Sequence, residues 1–207
     1  MKRSRRNRSN RRRGVHAGET IGKGTNSRSV EYPALPCKDN RYIAPNLVSK
    51  QTSEKVAYEE YNTVKDWPKD AYPHLLFPTM VCEGQNDYQI YSPYAKGVSL
   101  GTYLKKKLTS EDLMRLLEAL EELSDEVYRF NADGYRHNDV HEQNVMYDAT
   151  SKTAVLIDFG LASRTRSPRR RGFATGKFGD FVNLRTLLHN VERRLISGLD
   201  VKRFNLF

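Results

Sequence analysis

Two acids and an amide near the middle of the chain have the types and the spacing that phosphoryl transfer requires. Asp139 and Asn144 lie in a polar stretch at residues 137–144, and Asp158 follows Asn144 by fourteen residues. Asp139 can accept the proton of an attacking hydroxyl group. Asn144 and Asp158 can supply oxygen ligands to magnesium ions that bridge nucleotide phosphates. The spacing therefore predicts a catalytic site that uses ATP and Mg²⁺.

The flanking segments would place these residues at the end of a helix and around a pair of strands. Apolar residues recur at helical spacing over residues 113–130, and Asp133-Gly134 ends that helix before the polar stretch. Residues 145–147 and 154–157 are hydrophobic runs that favour short buried strands. The predicted order is helix, polar loop, strand, turn, strand and Asp-Phe-Gly.

This order and these residues resemble those of protein kinases. His137-Asn138-Asp139 and Asn144 match the pattern His-Arg-Asp-Leu-x-x-x-Asn, and Asp158-Phe159-Gly160 matches the kinase Asp-Phe-Gly motif. The chain departs from the pattern at Asn138, where kinases have arginine, and at His141, where they usually have lysine. The resemblance implies an α+β protein, with a minimal bilobal kinase-like fold and a truncated C-lobe.

The kinase resemblance also assigns roles to residues in the first third of the chain. Gly22 and Gly24 fit the glycine loop that folds over the phosphates, although a flexible Gly-Thr-Asn-Ser linker explains the same residues. Lys50 ends a predicted strand and would contact the α- and β-phosphates. Its expected partner on the next predicted helix is Glu60, with Glu59 as the alternative; a helix face with both acids in water is a third interpretation.

The two departures bear on substrate and regulation. His141 could neutralise a γ-phosphate only when its ring is protonated, and it also fits the pattern His-x-Asp-x-His-x-x-Asn of aminoglycoside and choline kinases. Asn138 lacks the charge with which arginine reads a phosphorylated activation segment, so we predict no activation by that route, although Thr165 and Ser167 could be phosphorylated. Asp180 resembles the kinase aspartate that binds the backbone of the catalytic loop, or is simply an acid favoured at a helix N-terminus.

A closer resemblance, to Ser/Thr kinases of large double-stranded DNA viruses, is carried by short stretches. These are the Pro-Ala-Leu-Pro-Cys at residues 33–37, the Leu-Val-Ser-Lys at 47–50 and the Glu-Glu-Tyr at 59–61. The resemblance spans roughly residues 17–190. It implies a viral origin and an intracellular location, in the host cytoplasm or nucleus or in the virion.

The positive charge of the chain is concentrated in two segments. The formal net charge is +10, and eight basic residues lie within residues 1–13 and five more within residues 164–171, so the rest is close to neutral. Residues 1–16 are predicted to form a solvated, disordered tail, or alternatively an arm for nonspecific nucleic-acid contact, an acidic protein surface or nuclear import. The second segment lies where kinases contact substrate and would favour acidic protein targets.

Length, hydropathy and cysteine count set further limits. The chain has 207 residues, and none of its apolar stretches approaches the roughly 20 residues that cross a bilayer, so no membrane partner is expected. Cys37 and Cys82 lie far apart and form no metal-binding pair, which favours a reducing intracellular setting. We expect three parts: the tail, an N-lobe with hinge at residues 17–97, and the truncated C-lobe at residues 98–207.

The function expected from these residues is Mg-ATP-dependent phosphoryl transfer to a Ser or Thr hydroxyl of a protein. One alternative is a small-molecule kinase, favoured by His141 and by the few C-lobe helices that the sequence predicts. Another is a non-catalytic kinase-like scaffold whose basic arms recruit nucleic acid or a partner. The presence of four residues with chemical roles argues against the scaffold, which has no need for them all: Lys50, Asp139, Asn144 and Asp158.

Overall fold

The computed structural model describes residues 19–22, 29–164 and 178–204. The predicted basic tail, Gly24, Thr165, Ser167 and the arginines at positions 166 and 169–171 lie outside these residues. Within the described ranges, no helix is both long enough and apolar enough to cross a membrane.

Five antiparallel strands form the first sheet, in the order β1-β2-β3-β5-β4. Their ranges are β1 Glu19–Gly22, β2 Ser29–Tyr32, β3 Leu47–Thr52, β4 Met80–Glu83 and β5 Tyr88–Pro93. Helix α1, Glu54–Val64, follows β3 after a single residue and packs against β4 and β5. The predicted helix is thus confirmed. Ser53 occupies its N-cap position, but its side chain makes no capping hydrogen bond.

The sheet face opposite α1 is covered by residues 33–46, which connect β2 to β3. Neighbouring residues of a strand point to opposite faces, so Ser49 points away from the side that Lys50 occupies. The Ser49 hydroxyl accepts a hydrogen bond from the Leu35 amide at 2.9 Å, and the Tyr91 hydroxyl donates to the Leu35 carbonyl at 2.8 Å. These bonds fix the connecting segment across β3 and β5.

A disulfide between Cys37 and Cys82 joins the same segment to β4. The two cysteines are far apart in the sequence, at a separation of 45 residues, but the 33–46 segment crosses the sheet far enough to bring them together at β4. Consequently, the cysteine count gives no support for a reducing setting.

We expect reduction of this disulfide to lower the free energy of unfolding by about 2–4 kcal/mol, because the cross-link restricts a long loop of the unfolded chain. For a chain of this size, that loss lowers Tm by about 4–16 °C. Thermal melts with and without reductant measure the shift. The Cys37→Ala/Cys82→Ala variant should melt in both buffers at the Tm that wild type has in reductant. A wild-type Tm that is the same with and without reductant would contradict the prediction.

The second half of the chain is mostly helical, with short strands around the predicted catalytic residues. The helices are α2 Leu100–Tyr103, α3 Ser110–Ala132 and α4 Gly179–Phe204. The strands are β6 Val98–Ser99, β7 Tyr135–Arg136, β8 Val145–Asp148, β9 Thr153–Leu156 and β10 Ser163–Arg164. They form one sheet in the order β6-β8-β9 and a two-stranded pair of β10 with β7.

Helix α3 is the long amphipathic helix that the sequence predicts. A capping box begins it, in which Thr109 and Asp112 satisfy each other's backbone amides. Gly134, at φ 91°, follows its end and turns the chain towards the catalytic stretch. The buried face of α3 packs against α4 and β9. The apolar side chains at this contact are fully buried: Leu116, Leu120, Leu123, Val127, Phe130, Leu184, Leu188 and Val191.

These two parts confirm the predicted α+β, bilobal kinase-like fold. An antiparallel sheet with one helix forms the first part, and a helical layer with short strands forms the second. The domain boundaries placed at residues 16 and 97 stay predictions.

Candidate active site

Lys50 on β3 lies between two carboxylates. Its Nζ is 2.6 Å from Glu60 Oε2 and 3.0 Å from Asp158 Oδ1. The Lys50 and Glu60 side chains are only 19% and 3% exposed. Glu59, by contrast, is exposed and lies 3.9 Å from Lys55. The acid that pairs with Lys50 is therefore Glu60.

Burial and opposite charge together set the protonation of these three groups. Burial lowers the pKa of Lys50, but the charges of Glu60 and Asp158 outweigh it, so the pKa lies above its ordinary value. Burial raises the pKa of Glu60, and the charge of Lys50 offsets only part of that rise. Burial would also raise the pKa of Asp158, but the Lys50 charge and hydrogen bond prevail and lower it. Lys50 is thus an ammonium at neutral pH, as a phosphate ligand must be.

Asn144 holds Asp139, the predicted proton acceptor. Its Nδ2 donates to the backbone carbonyl of Asp139 at 2.9 Å and to Asp139 Oδ2 at 3.0 Å. Since Nδ2 faces Asp139, the oxygen Oδ1 of Asn144 is the atom available for a metal ion. The Asp139 side chain is 39% exposed, so a substrate hydroxyl can reach it.

His141 stands beside the same carboxylate. Its Nε2 is 3.6 Å from Asp139 Oδ2, and its side chain is 46% exposed. Its Nδ1 accepts a hydrogen bond from the Gln143 amide at 3.2 Å, which places the proton of the neutral ring on Nε2, towards Asp139. The ring therefore lies beside the carboxylate of the predicted proton acceptor.

His137 is fully buried beneath the loop. Its Nε2 donates to the Ile157 carbonyl at 2.9 Å, and its Nδ1 accepts from the Asp139 amide at 3.2 Å. Burial lowers the pKa of His137, in agreement with a neutral ring that both donates and accepts. The ring packs edge-on against Phe159, whose ring lies 4.4 Å from that of Phe77. The buried histidine thus joins the catalytic loop to the Asp-Phe-Gly turn.

Asp180, in the first turn of α4, binds the backbone of the catalytic loop. Its Oδ2 accepts from the His137 amide at 2.7 Å, and its Oδ1 accepts from the Asn138 amide at 2.8 Å. Asn131 Nδ2 donates to Oδ2 as well, at 2.9 Å. The prediction for Asp180 is confirmed. The contribution of Asn131 was not foreseen, because a lone asparagine inside a helix carries no sequence signal.

The N-lobe with its hinge was predicted to end at Gly97, and residues 94–97 connect β5 to β6. Gly97 has φ 89°, and a Cβ there would lie 2.1 Å from the Tyr147 carbonyl oxygen. Only glycine permits this approach. Of the predicted glycine-loop residues, Gly22 ends β1, and Gly24 lies outside the described residues. The glycine-loop role stays a prediction.

The two predicted metal ligands meet at one end of a strand pair. Asn144 precedes β8 and Asp158 follows β9, and these strands are antiparallel, with Val145 opposite Leu156. The Ile157 amide also donates to the Asn144 carbonyl at 3.0 Å. One amide oxygen and one carboxylate suit Mg²⁺, which takes one or two protein ligands and completes its shell with phosphates and water. The described residues include no group of three His, Cys, Asp or Glu that could hold a metal ion.

Comparison with known proteins agrees with this geometry. Residues 15–177 match the model of the family described as protein tyrosine and serine/threonine kinase. Two relatives from Encephalitozoon cuniculi, the probable cell division control protein 7 homologs 1 and 2, are each 26% identical over 151 residues. That match covers 70% of this chain and 39% of each relative, so the chain spans about two fifths of their length. Because the family model covers well over half of the sequence, and the lysine, carboxylates and amide of the motifs are brought together, the chain belongs to the protein tyrosine and serine/threonine kinase family.

Proposed function

We propose that this chain is a Mg-ATP-dependent kinase that phosphorylates Ser or Thr hydroxyls of proteins. One observation carries the proposal: Lys50 is bonded to both Glu60 and Asp158, at the strand end where Asn144 holds Asp139. The family match favours a protein acceptor over a small molecule. The Ser/Thr preference and a viral, intracellular origin are supported by the viral resemblance of residues 33–37 and 47–50.

Each residue has a defined task in this reaction. Lys50, anchored by Glu60, would bind the α- and β-phosphates of ATP, and Asn144 with Asp158 would hold Mg²⁺. When bound there, Mg²⁺ would supply positive charge beside the transferred phosphoryl group. The oxygen of the acceptor hydroxyl would bond to the γ-phosphorus while the bond from that phosphorus to ADP breaks. Asp139 would accept the proton that the hydroxyl loses. The hydrogen bond from Asn144 keeps the Asp139 carboxylate oriented for this step.

The transfer of labelled γ-phosphate to casein, histone and aminated sugars tests the proposal. Phosphoserine or phosphothreonine in a protein acceptor is the expected result. Labelling of sugars alone would support a small-molecule kinase, and phosphotyrosine would overturn the hydroxyl preference. A chain that binds Mg-ATP or nucleic acid without transfer would fit the scaffold.

The basic segments suggest partners for the same function. Arg164 begins the cluster at residues 164–171, and we propose that this cluster favours acidic protein substrates. Residues 1–13 would give nonspecific affinity for nucleic acid. Filter binding with and without residues 1–13 locates that affinity.

His141→Lys is expected to raise kcat/KM for ATP severalfold, because lysine supplies an ammonium at the position where the chain has an imidazole beside Asp139. Steady-state kinetics of both proteins give the ratio. His141→Gln, which can carry no charge, should be no more active than wild type. Equal activity of His141→Lys and wild type would show that a positive charge at this position has no part in catalysis.

A further inference from the structure

We propose that Asn138 is a positioning residue that holds the segment after Asp158 in its active arrangement without phosphorylation. This inference rests on the proposed kinase function. In the kinase pattern the position belongs to a charged arginine. Here it carries an uncharged amide with partners of its own.

The Asn138 side chain makes two hydrogen bonds to the segment that follows the Asp-Phe-Gly turn. Its Nδ2 donates to the Leu161 carbonyl at 2.8 Å and to Ser163 Oγ at 2.9 Å. Leu161 and Ser163 are both exposed, so apolar burial contributes little to their placement. The adjoining strand β10 has only two residues, which pair with β7. The two bonds from Asn138 act on this segment together with the packing of Ala162 against the core and the contact of Arg164 with the Tyr135 ring.

Asn138 is itself anchored from the protein interior. The backbone amide of Asn138 donates to Oδ1 of the buried Asp180, and the backbone amide of His137 donates to Oδ2 of the same carboxylate. The backbone of Asn138 has φ 65°, a left-handed conformation that asparagine adopts more readily than most residues. The backbone is thus fixed on one side, while the side chain extends to the segment on the other.

The segment that Asn138 contacts, residues 158–163, begins at Asp158, a predicted metal ligand. Asp158 also has a left-handed backbone, at φ 65°, and its carboxylate contacts Lys50. The Ala162 amide donates to the Phe159 carbonyl at 3.0 Å, which makes a tight turn between the two ends. Residues 158–163 are therefore held at Lys50 and at Asn138. Neither contact requires a phosphate group.

Asn138→Asp tests the amide with little change of shape. Aspartate has the same size and also tolerates a left-handed backbone, but an ionised carboxylate donates no hydrogen bond. We expect kcat to fall about tenfold, which corresponds to about 1.4 kcal/mol, and half-maximal activity to need more Mg²⁺. Tm should change little. Asn138→Gly also tolerates the left-handed backbone and removes the donor, so its kcat should fall by a similar factor. Ser163→Ala removes only one of the two acceptors, so its kcat should fall less.

Hydrogen–deuterium exchange separates this inference from the proposed function. Peptides covering residues 159–164 should exchange faster in Asn138→Asp than in wild type, whether or not the chain transfers phosphate. Phosphatase treatment of wild type should leave both its activity and this exchange unchanged. Equal exchange of these peptides in Asn138→Asp and wild type would overturn the positioning role. Faster exchange of the same peptides in phosphatase-treated wild type would also overturn it. Slow wild-type exchange without any transfer would instead contradict only the kinase function.

Discussion

Replacing Asp139 with asparagine is expected to reduce phosphoryl transfer about 1000-fold. The amide cannot accept the proton of the attacking hydroxyl, but it keeps an oxygen that accepts the bond from Asn144 Nδ2, now 3.0 Å from Asp139 Oδ2. The fold and the affinity for Mg-ATP should therefore survive. Single-turnover transfer of labelled phosphate measures the loss, and a thermal shift with Mg-ATP measures binding.

Asp125→Asn is the matched control, since it makes the same chemical change at an exposed position of α3. It should transfer phosphate at the wild-type rate. If Asp139→Asn were as active as this control, Asp139 would have no catalytic role. A variant that loses the Mg-ATP shift as well would indicate a wider collapse of the loop.

Lys50→Met is expected to lower transfer by at least about 100-fold and to reduce the Mg-ATP thermal shift. Methionine keeps much of the lysine stem but removes the ammonium that would bind the phosphates. Glu60→Gln should lie between this variant and wild type, because glutamine can still accept a hydrogen bond from Lys50. Lys55→Met, on the exposed face of α1, is the control. An unchanged shift in Lys50→Met would refute the assignment of the phosphate-binding lysine.

The same variant should show a pH-dependent loss of stability. Without Lys50, the Glu60 carboxylate is buried with no ammonium beside it, which costs about 2–4 kcal/mol when it is charged. Burial already raises the pKa of Glu60 in wild type, and removal of the Lys50 charge raises it further. A raised acid pKa means that protonation favours the folded state, so the deficit should shrink as pH falls from 8 to 5. Urea unfolding at both pH values measures it; a constant deficit would contradict this account.

Local sequence patterns predicted much of the active site. The motif at residues 137–144 placed Asp139 and Asn144 in one loop, because a few bonds of backbone fix their separation. Helical periodicity predicted α3, and the apolar run before Asp158 predicted β9. Each of these signals depends on neighbouring residues and on the period of a helix or strand.

Other features depended on contacts between distant segments. Glu59 and Glu60 are equivalent as neighbours in sequence, but they point about 100° apart on a helix, and only the packing of α1 selects Glu60. The Cys37–Cys82 disulfide depends on the path of residues 33–46 across the sheet. Strand register decides which face each side chain occupies, and a single-residue shift would exchange the faces.

The sequence by itself determined which chemistry this protein could perform, through the identity and spacing of Asp139, Asn144 and Asp158. The tertiary structure alone decided how the candidate site is held in place. Glu60 holds Lys50, Asp180 holds the backbone of the loop that contains Asp139, and Asn138 holds the segment after Asp158. The physical reason is that a reactive group is a property of one residue. Its orientation depends on partners far along the chain, and folding determines which partners those are.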